Sequence, residues 1–306
     1  MRNNLLKRLG LTVFVLIGVT IIAFGLMRLG GGDPALLMAG GTATQEEVQD
    51  YRVRMGLDQS YLVQYLTYMN GILHGDLGFS WSYHAKVGEV LAARLVQTLN
   101  LTLFGFFIAS VFSMTLGIIA GIRHGSSIDF VAIFFAIIGQ SMSIVWLGFV
   151  LILIFGVKLR WLPTQGLGGL KHMIMPGICL GFGYAAVQTR LMRSGMVDVL
   201  REDYVVATRA RGISKSKTYL VYALRNALLP IITNMGNNFG HLLAGVVVVE
   251  TIFNWPGVGQ LLVQAINMRD YQLVQSALLV TSIALVLCNL LADILYTVVD
   301  PRISFQ

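Results

Sequence analysis

Six apolar runs of about 15 to 28 residues, against the roughly 20 that a helix needs to cross a bilayer, constrain this chain more than any motif in it. They extend from about Leu9 to Met27, Leu99 to Ile122, Phe130 to Val157, Met173 to Val187, Ile231 to Val249 and Leu273 to Val298. In hydrocarbon every backbone polar group must find its partner inside the protein, so the runs are expected to be helices. The implied fold class is an all-α polytopic membrane protein with about six transmembrane helices. The composition agrees: 56% of residues are hydrophobic and 12% charged, about half the charge of an average soluble domain. The first run is longer than the roughly 7 to 15 residues of a signal-peptide core, which predicts an uncleaved first helix.

The polar intervals set the expected topology. Residues 29–97 carry Glu46, Glu47, Asp50 and Asp58 against few bases, and are read as an extracytoplasmic loop under the positive-inside rule. Within it, Tyr61, Tyr65 and Tyr68 with Leu62, Leu66 and Met69 predict one amphipathic helix, over the bundle or at the interface. Eight Lys or Arg residues and three acids lie between Arg190 and Arg225. A basic residue at the centre of a membrane helix costs roughly 2.5 to 3.5 kcal/mol, so the interval 190–228 is assigned to water on the cytoplasmic side, with both termini. Lys158, Arg160 and Lys171 then fall on the outer side, against the charge bias. The whole chain, 1–306, is read as a single transmembrane domain.

The basic interval has internal order. Val197, Leu200, Tyr204 and Ala207 recur at helical spacing, and Gly212 is expected to close that helix in the left-handed conformation. Ser214 is expected to cap a second helix through its hydroxyl, with Leu220, Leu224 and Leu228 as an apolar stripe before Pro230. The third apolar run is long enough either to tilt or to break near Gly139-Gln-Ser-Met-Ser143.

Several functions are disfavoured. No GxxxxGK[ST], HExxH or GxSxG motif occurs, so no nucleotide site, hydrolytic metal or nucleophilic serine is expected. Cys179 and Cys288 lie in apolar runs without CxxC spacing, which points to packing. The formal charge of +7 clusters beside membrane runs without interleaved aromatics, which argues against nucleic acid.

A set of short motifs, in order along the whole chain, carries a resemblance. They are Gly32-Asp-Pro-Ala35, Gly56-Leu-Asp-Gln59, Gly75-Asp-Leu-Gly78, Trp161-Leu-Pro163, Ala207 to Gly212, Leu224-Arg-Asn-Ala227, Val249-Glu-Thr-Ile-Phe253, Trp255-Pro-Gly-Val-Gly259, Arg269-Asp-Tyr271 and Asp300-Pro-Arg302. In these the chain resembles the inner-membrane permease subunits of bacterial ATP-binding-cassette importers for dipeptides, oligopeptides and nickel. The resemblance implies a non-enzymatic subunit of the bacterial inner membrane that pairs with a second, similar permease. It also implies two cytoplasmic ATPase subunits, which bind the ATP and Mg, and an extracytoplasmic substrate-binding protein. In that family a Glu-Ala-Ala, three residues, Gly pattern forms the coupling helices seated on the ATPases. Here the corresponding segment holds Val206, Ala207, Thr208, Ala210, Arg211 and Gly212, so Val206 stands where the pattern has Glu, and Glu202 and Asp203 lie one turn earlier. Ser143-Ile-Val-Trp146 stands where many relatives carry a proline. Peptide and nickel or metal-chelate substrates are both compatible with these motifs.

Three polar constellations remain. Asn234, Asn237, Asn238 and His241 fall on one face of the fifth run, which must look at another helix or at a water-filled path. The first reading is a translocation-path lining, the second interhelical hydrogen bonding. His241 has no clustered second ligand and is not assigned as a metal site. Asn289, Asp293 and Tyr296 share a face of the sixth run, with Asp293 a hydrated boundary carboxylate or an ion-coupling site. Glu250, Trp255 and Pro256 are read as an outer gate or binding-protein contact, or as an interfacial anchor. A self-contained proton-coupled transporter using Asp293 or His241 is the alternative class. An intramembrane enzyme is disfavoured by the lack of a catalytic pair.

Overall fold

Apolar runs too long for a globular core become long helices here. The computed structural model describes residues 2–29, 34–39 and 43–299. In order these form α1 (Arg2–Leu29), α2 (Pro34–Ala39), α3 (Gln45–Arg54), α4 (Tyr61–Leu73), a hairpin of β1 (Phe79–Ser80) and β2 (Ala85–Lys86), α5 (Val87–Ile122) and α6 (Ser127–Ser141). Next come α7 (Ile144–Leu151) with a π-helical extension Ile152–Lys158, α8 (Leu170–Leu200), α9 (Asp203–Ala210), α10 (Lys215–Lys217), a π-helical segment Thr218–Ala223, α11 (Leu224–Ile252), α12 (Val258–Asn267) and α13 (Tyr271–Val299). Each of the six apolar runs lies in this helical set. Among the described residues, Val87–Ile122, Leu170–Leu200 and Tyr271–Leu290 are long and apolar enough to cross a membrane, and α6 with α7 makes a fourth, bent span. Shorter apolar stretches, Thr12–Gly25 and Leu242–Ile252, lie in α1 and α11. The fold is all-α and polytopic, apart from the two-residue strands of the hairpin.

The chain divides into two compact units, Met1–Gln97 with Gly257–Ala284 and Thr98–Pro256 with Leu285–Gln306. In the first, α4 is the amphipathic helix anticipated from its tyrosines. Tyr65 meets the Phe24 ring edge-on at 5.4 Å, and its hydroxyl lies 2.9 Å from Thr20 Oγ1 of α1. Arg28 Nη2 donates to Gln64 Oε1 at 2.6 Å. The unit's apolar cluster joins Val87 and Leu91 to Leu261, Ala265, Leu273 and Ala277. Asp270 is fully buried at the start of α13; its carboxylate accepts from Ser80 Oγ and Ser82 Oγ, both at 2.6 Å, and from the Leu273 amide at 3.2 Å. One acid thereby caps a helix and fixes the hairpin, consistent with the rule that buried charge needs hydrogen-bond partners.

In the second unit α8 is the central helix, packed against α5, α6, α7 and α11. Small residues bring the backbones together. A Cβ at Gly117 of α5 would stand 2.6 Å from Met192 Cβ and 2.9 Å from the Thr189 carbonyl. Gly105 and Ala109 approach Gly177 and Gly181 in the same way. Around this seam Leu101, Met175, Leu180, Tyr184, Val246 and Trp255 form the main apolar cluster. Met192, Met196, Ala223, Ala227 and Ile231 form a second.

The third run breaks rather than tilts. Met142 and Ser143 are both extended, with ψ of 129° and 132°, and the helices on either side are bent by 109°. No proline is needed: two successive extended residues interrupt the i to i−4 ladder, and the apolar runs on both sides resume helix at once.

Replacing Gly117 with leucine forces a side chain into the α5–α8 backbone contact. We expect a loss of about 1–3 kcal/mol, the usual cost of overpacking, read as a lower melting temperature of the detergent-purified protein. Wild-type melting would show that α5 and α8 are not this close.

Candidate functional site

The basic interval between the fourth and fifth runs folds into an elbow. α8 ends at Leu200, where the Arg201 amide bonds back to the carbonyls of Asp198 and Val199. Glu202 is extended, and α9 starts at Asp203. This corrects the expectation of one continuous helix carrying Val197, Leu200, Tyr204 and Ala207: the break at Arg201–Glu202 puts the first two on α8 and the last two on α9. α9 closes as its sequence predicts, with the Gly212 amide bonded to the Arg209 carbonyl at 2.9 Å and Gly212 at φ 77°. That left-handed value costs a side-chain-bearing residue roughly 1–2 kcal/mol.

Burial sorts the residues of the expected coupling segment into two faces. Val205 is fully buried and Thr208 nearly so, its hydroxyl donating to the Tyr204 carbonyl at 2.6 Å. Val206, Ala207, Ala210, Arg211 and Gly212 are exposed, and Val206 keeps 59% of its surface open. An apolar side chain that open, beside two alanines, presents a small surface into which another protein can pack closely. Thr208, counted with these residues by sequence, faces inward instead.

The elbow is tied to α11. Arg209 Nη2 donates to the Tyr219 hydroxyl, and Asn226 Nδ2 donates to the Tyr204 hydroxyl at 2.7 Å. These bonds join α9 to the π-helical segment Thr218–Ala223 and to the first turn of α11. Ser214 occupies the N-cap position but makes no side-chain capping bond. Nor does a separate helix end before Pro230: after three residues of α10 the chain winds through the π segment into α11, which runs through position 230. Of the expected stripe, Leu224 and Leu228 pack inward while Leu220 is exposed. A π-helical turn inserts an extra residue per turn and recurs at functional sites. Here it sits between the elbow and the polar fifth run.

A second tie was not visible in the sequence. Asp129, in the first turn of α6, receives a two-pronged hydrogen bond from Arg193 of α8, Nε to Oδ1 at 2.6 Å and Nη2 to Oδ2 at 2.9 Å. The Gly125 amide adds a bond to Oδ2 at 2.9 Å. His124 Nδ1 stands 2.9 Å from Asp129 Oδ2 and 3.0 Å from Arg193 Nη2, and its tautomer decides which of them it bonds. The carboxylate is 4% exposed and the guanidinium 18%. The clamp fastens the 123–129 turn to the helix that leads into the elbow.

Of the polar face on α11, Asn234 accepts from Gln188 Nε2 of α8 at 2.9 Å. Gln188 itself is buried, so the bond lies inside the helix packing. For Asn234 the structure thus shows the interhelical bond. The side chains of Asn237, Asn238 and His241, and those of Asp293 and Tyr296, lie outside the described residues, as do Gly32, Asp33 and Asp300 to Arg302. No group of three or more metal-ligating side chains occurs among the described residues.

Glu250 and Trp255 are both buried. The Thr98 hydroxyl donates to Glu250 Oε1 at 2.6 Å, and the Trp255 amide bonds to the Glu250 carbonyl at 2.8 Å. Neither side chain offers an open surface to a docking protein, and Pro256 is half-buried. Their packing corrects the contact-surface expectation. Thr98 lies 152 residues from Glu250, too far for local pattern to reveal.

A solved structure titled as inward-facing conformations of the MetNI methionine ABC transporter matches with TM-score 0.57, covering 69% of this chain and 96% of that one at 17% identity, a likeness of fold. The family model described as the binding-protein-dependent transport system inner membrane component matches residues 113–305. Its N-terminal companion matches 1–102. The chain belongs to this family: it is a permease subunit of an ABC importer, multi-pass in the inner membrane, and not itself an enzyme. Curated relatives include proteins named glutathione transport system permease protein GsiC. Those of Salmonella choleraesuis (strain SC-B67) and Salmonella typhi are 40% identical over 306 residues, and that of Escherichia coli (strain K12) 39%, with full coverage of both chains in each case.

Removing one partner of a buried ion pair leaves the other charge uncompensated. Asp129→Ala should therefore destabilise the protein by about 3 kcal/mol, with faster proteolysis in the 123–129 turn. Unfolding at the wild-type denaturant concentration would mean the pair behaves as a solvated one.

Proposed function

We propose that this subunit forms half of the translocation path of an ATP-driven importer for short peptides of the size and polarity of glutathione. The observation that carries the reading is the full-length match to permeases named for glutathione transport. Both chain ends and the α8–α9–α11 elbow lie on the cytoplasmic side, and residues 29–97 lie outside. The partners are a second, similar permease, two ATPase subunits that hold ATP and Mg, and an extracytoplasmic binding protein.

The exposed face of α9 is the contact with an ATPase. Supporting this are the open Val206, Ala207 and Ala210 surface, the Gly212 closure, and the bonds that tie the elbow to α11. Nucleotide-driven closure of the ATPases would then shift a lever that is already fastened to the polar fifth span, biasing the bundle between its two access states. With Val206 in place of the family's Glu, the docking depends on shape and apolar contact. Asn237, Asn238 and His241 line the path, and the buried Glu250 and Trp255 stabilise its outer gate.

The test is uptake into proteoliposomes holding the complete transporter and its binding protein. ATP-dependent entry of labelled glutathione or a tripeptide is the expected result. Entry of nickel but no peptide would move the substrate assignment, and uptake driven by a proton gradient without nucleotide would overturn the ATP-driven reading. In the same assay Gly212→Asp and Ala207→Arg should each lower uptake at least about tenfold with insertion unchanged, the loss of roughly 1.4 kcal/mol of coupling. Wild-type uptake by both variants would remove α9 from the docking surface.

A further inference from the structure

α6 and α8 leave a cleft of about 230 Å³ between them. A water occupies about 30 Å³ in the liquid, so this space is too large for a bridging water or two. Its α6 wall is apolar: Ala132, Ile133, Ala136 and Ile137. Its α8 wall is polar, with Thr189, Arg190, Arg193 and Ser194. Thr189 is fully buried and its hydroxyl has no hydrogen-bond partner among the described residues.

The two arginines are not equivalent. Arg193 is neutralised by Asp129. Arg190 is exposed, and its side-chain hydrogen bond, 3.4 Å to the neutral Gln140 amide oxygen, gives it no counter-charge among the described residues. A free cation therefore stands at the rim of a half-apolar cleft. The rim also lies just past the fourth apolar run, which ends near Val187, with Arg190 the first charge after it. Opposite, the α6 residues lie five to ten positions into that helix, about 7–15 Å along it at 1.5 Å per residue. Phe130 and Phe134, 70% and 55% exposed, extend the apolar side along the surface of α6.

We propose that this cleft binds one anionic phospholipid, with its phosphate at Arg190 and Ser194 and the start of an acyl chain along Ile133 and Ile137. Charge complementarity selects the headgroup, since basic pockets between membrane helices favour anionic lipids, and the apolar wall selects a ligand with a hydrocarbon tail over a free anion. The lipid would brace the helix that carries the Asp129–Arg193 clamp and leads to the elbow. The proposal does not depend on which substrate is moved.

The experiment is lipid retention and thermal stabilisation of the purified full-length chain in detergent, with phosphatidylglycerol, phosphatidylcholine and glycerol phosphate as probes. Phosphatidylglycerol should be retained in native mass spectra and raise the melting temperature, whereas phosphatidylcholine and glycerol phosphate should do neither. Arg190→Gln should weaken phosphatidylglycerol retention about fivefold, the contribution of one arginine at an anionic surface, and Ala136→Trp should fill the cleft and abolish it. Equal retention of the two lipids, or unchanged retention by a folded Arg190→Gln variant, would overturn the proposal. Stabilisation by glycerol phosphate alone would make the ligand a free phosphate, and cross-linking of position 190 to another subunit in the assembled transporter would make the cleft a protein interface; either result also overturns it.

Discussion

Close backbone contact with α8 is the interaction on which the Thr98–Pro256 unit depends. Inside a bilayer apolar side chains gain little from leaving lipid for protein, so helices are held by van der Waals contact and interhelical hydrogen bonds. Gly105 and Gly117 remove the side chains that would keep α5 away, and Gly139 does the same for α6 at Ala186. Once the backbones touch, Gln188 can reach Asn234 and Arg193 can reach Asp129. The same helix then ends at Leu200 and turns into α9. Packing, clamp and elbow therefore share one element, and a displacement of α9 acts on a helix already gripped by its neighbours.

Periodicity revealed what is local and missed what is distant. The six apolar runs, the tyrosine helix and the Gly212 closure were all legible, since each is specified within a few turns of chain. The break at Arg201–Glu202 was not, because both residue types are compatible with helix and only the capping geometry separates α8 from α9. Pro230 misled in the opposite direction, as a membrane helix tolerates proline when neighbouring groups satisfy the freed carbonyl. The Asp129–Arg193 clamp joins residues 64 apart and the Gln188–Asn234 bond residues 46 apart. No spacing rule announces either. Glu250 read by sequence as an outer gate, a binding-protein contact or an interfacial anchor, and its burial beside Thr98 became visible only when α5 and α11 were placed together.

The replacement of the family's Glu by Val206 carries a physical consequence for the proposed docking. A charge pair at that position would weaken with salt, whereas an apolar contact holds its strength. Under the proposed docking, the bonds from Arg209 to Tyr219 and from Asn226 to Tyr204 would carry a displacement of the elbow to α11.

Disulfide cross-linking tests the proposed α9 docking most directly: a cysteine at Val206 is paired with cysteines on the facing surface of the ATPase subunit, in the reconstituted transporter, with and without ATP. A cross-link in high yield that changes with nucleotide and stops uptake until it is reduced is the expected result. An actively transporting complex in which position 206 never cross-links to an ATPase, in any nucleotide state, would contradict it.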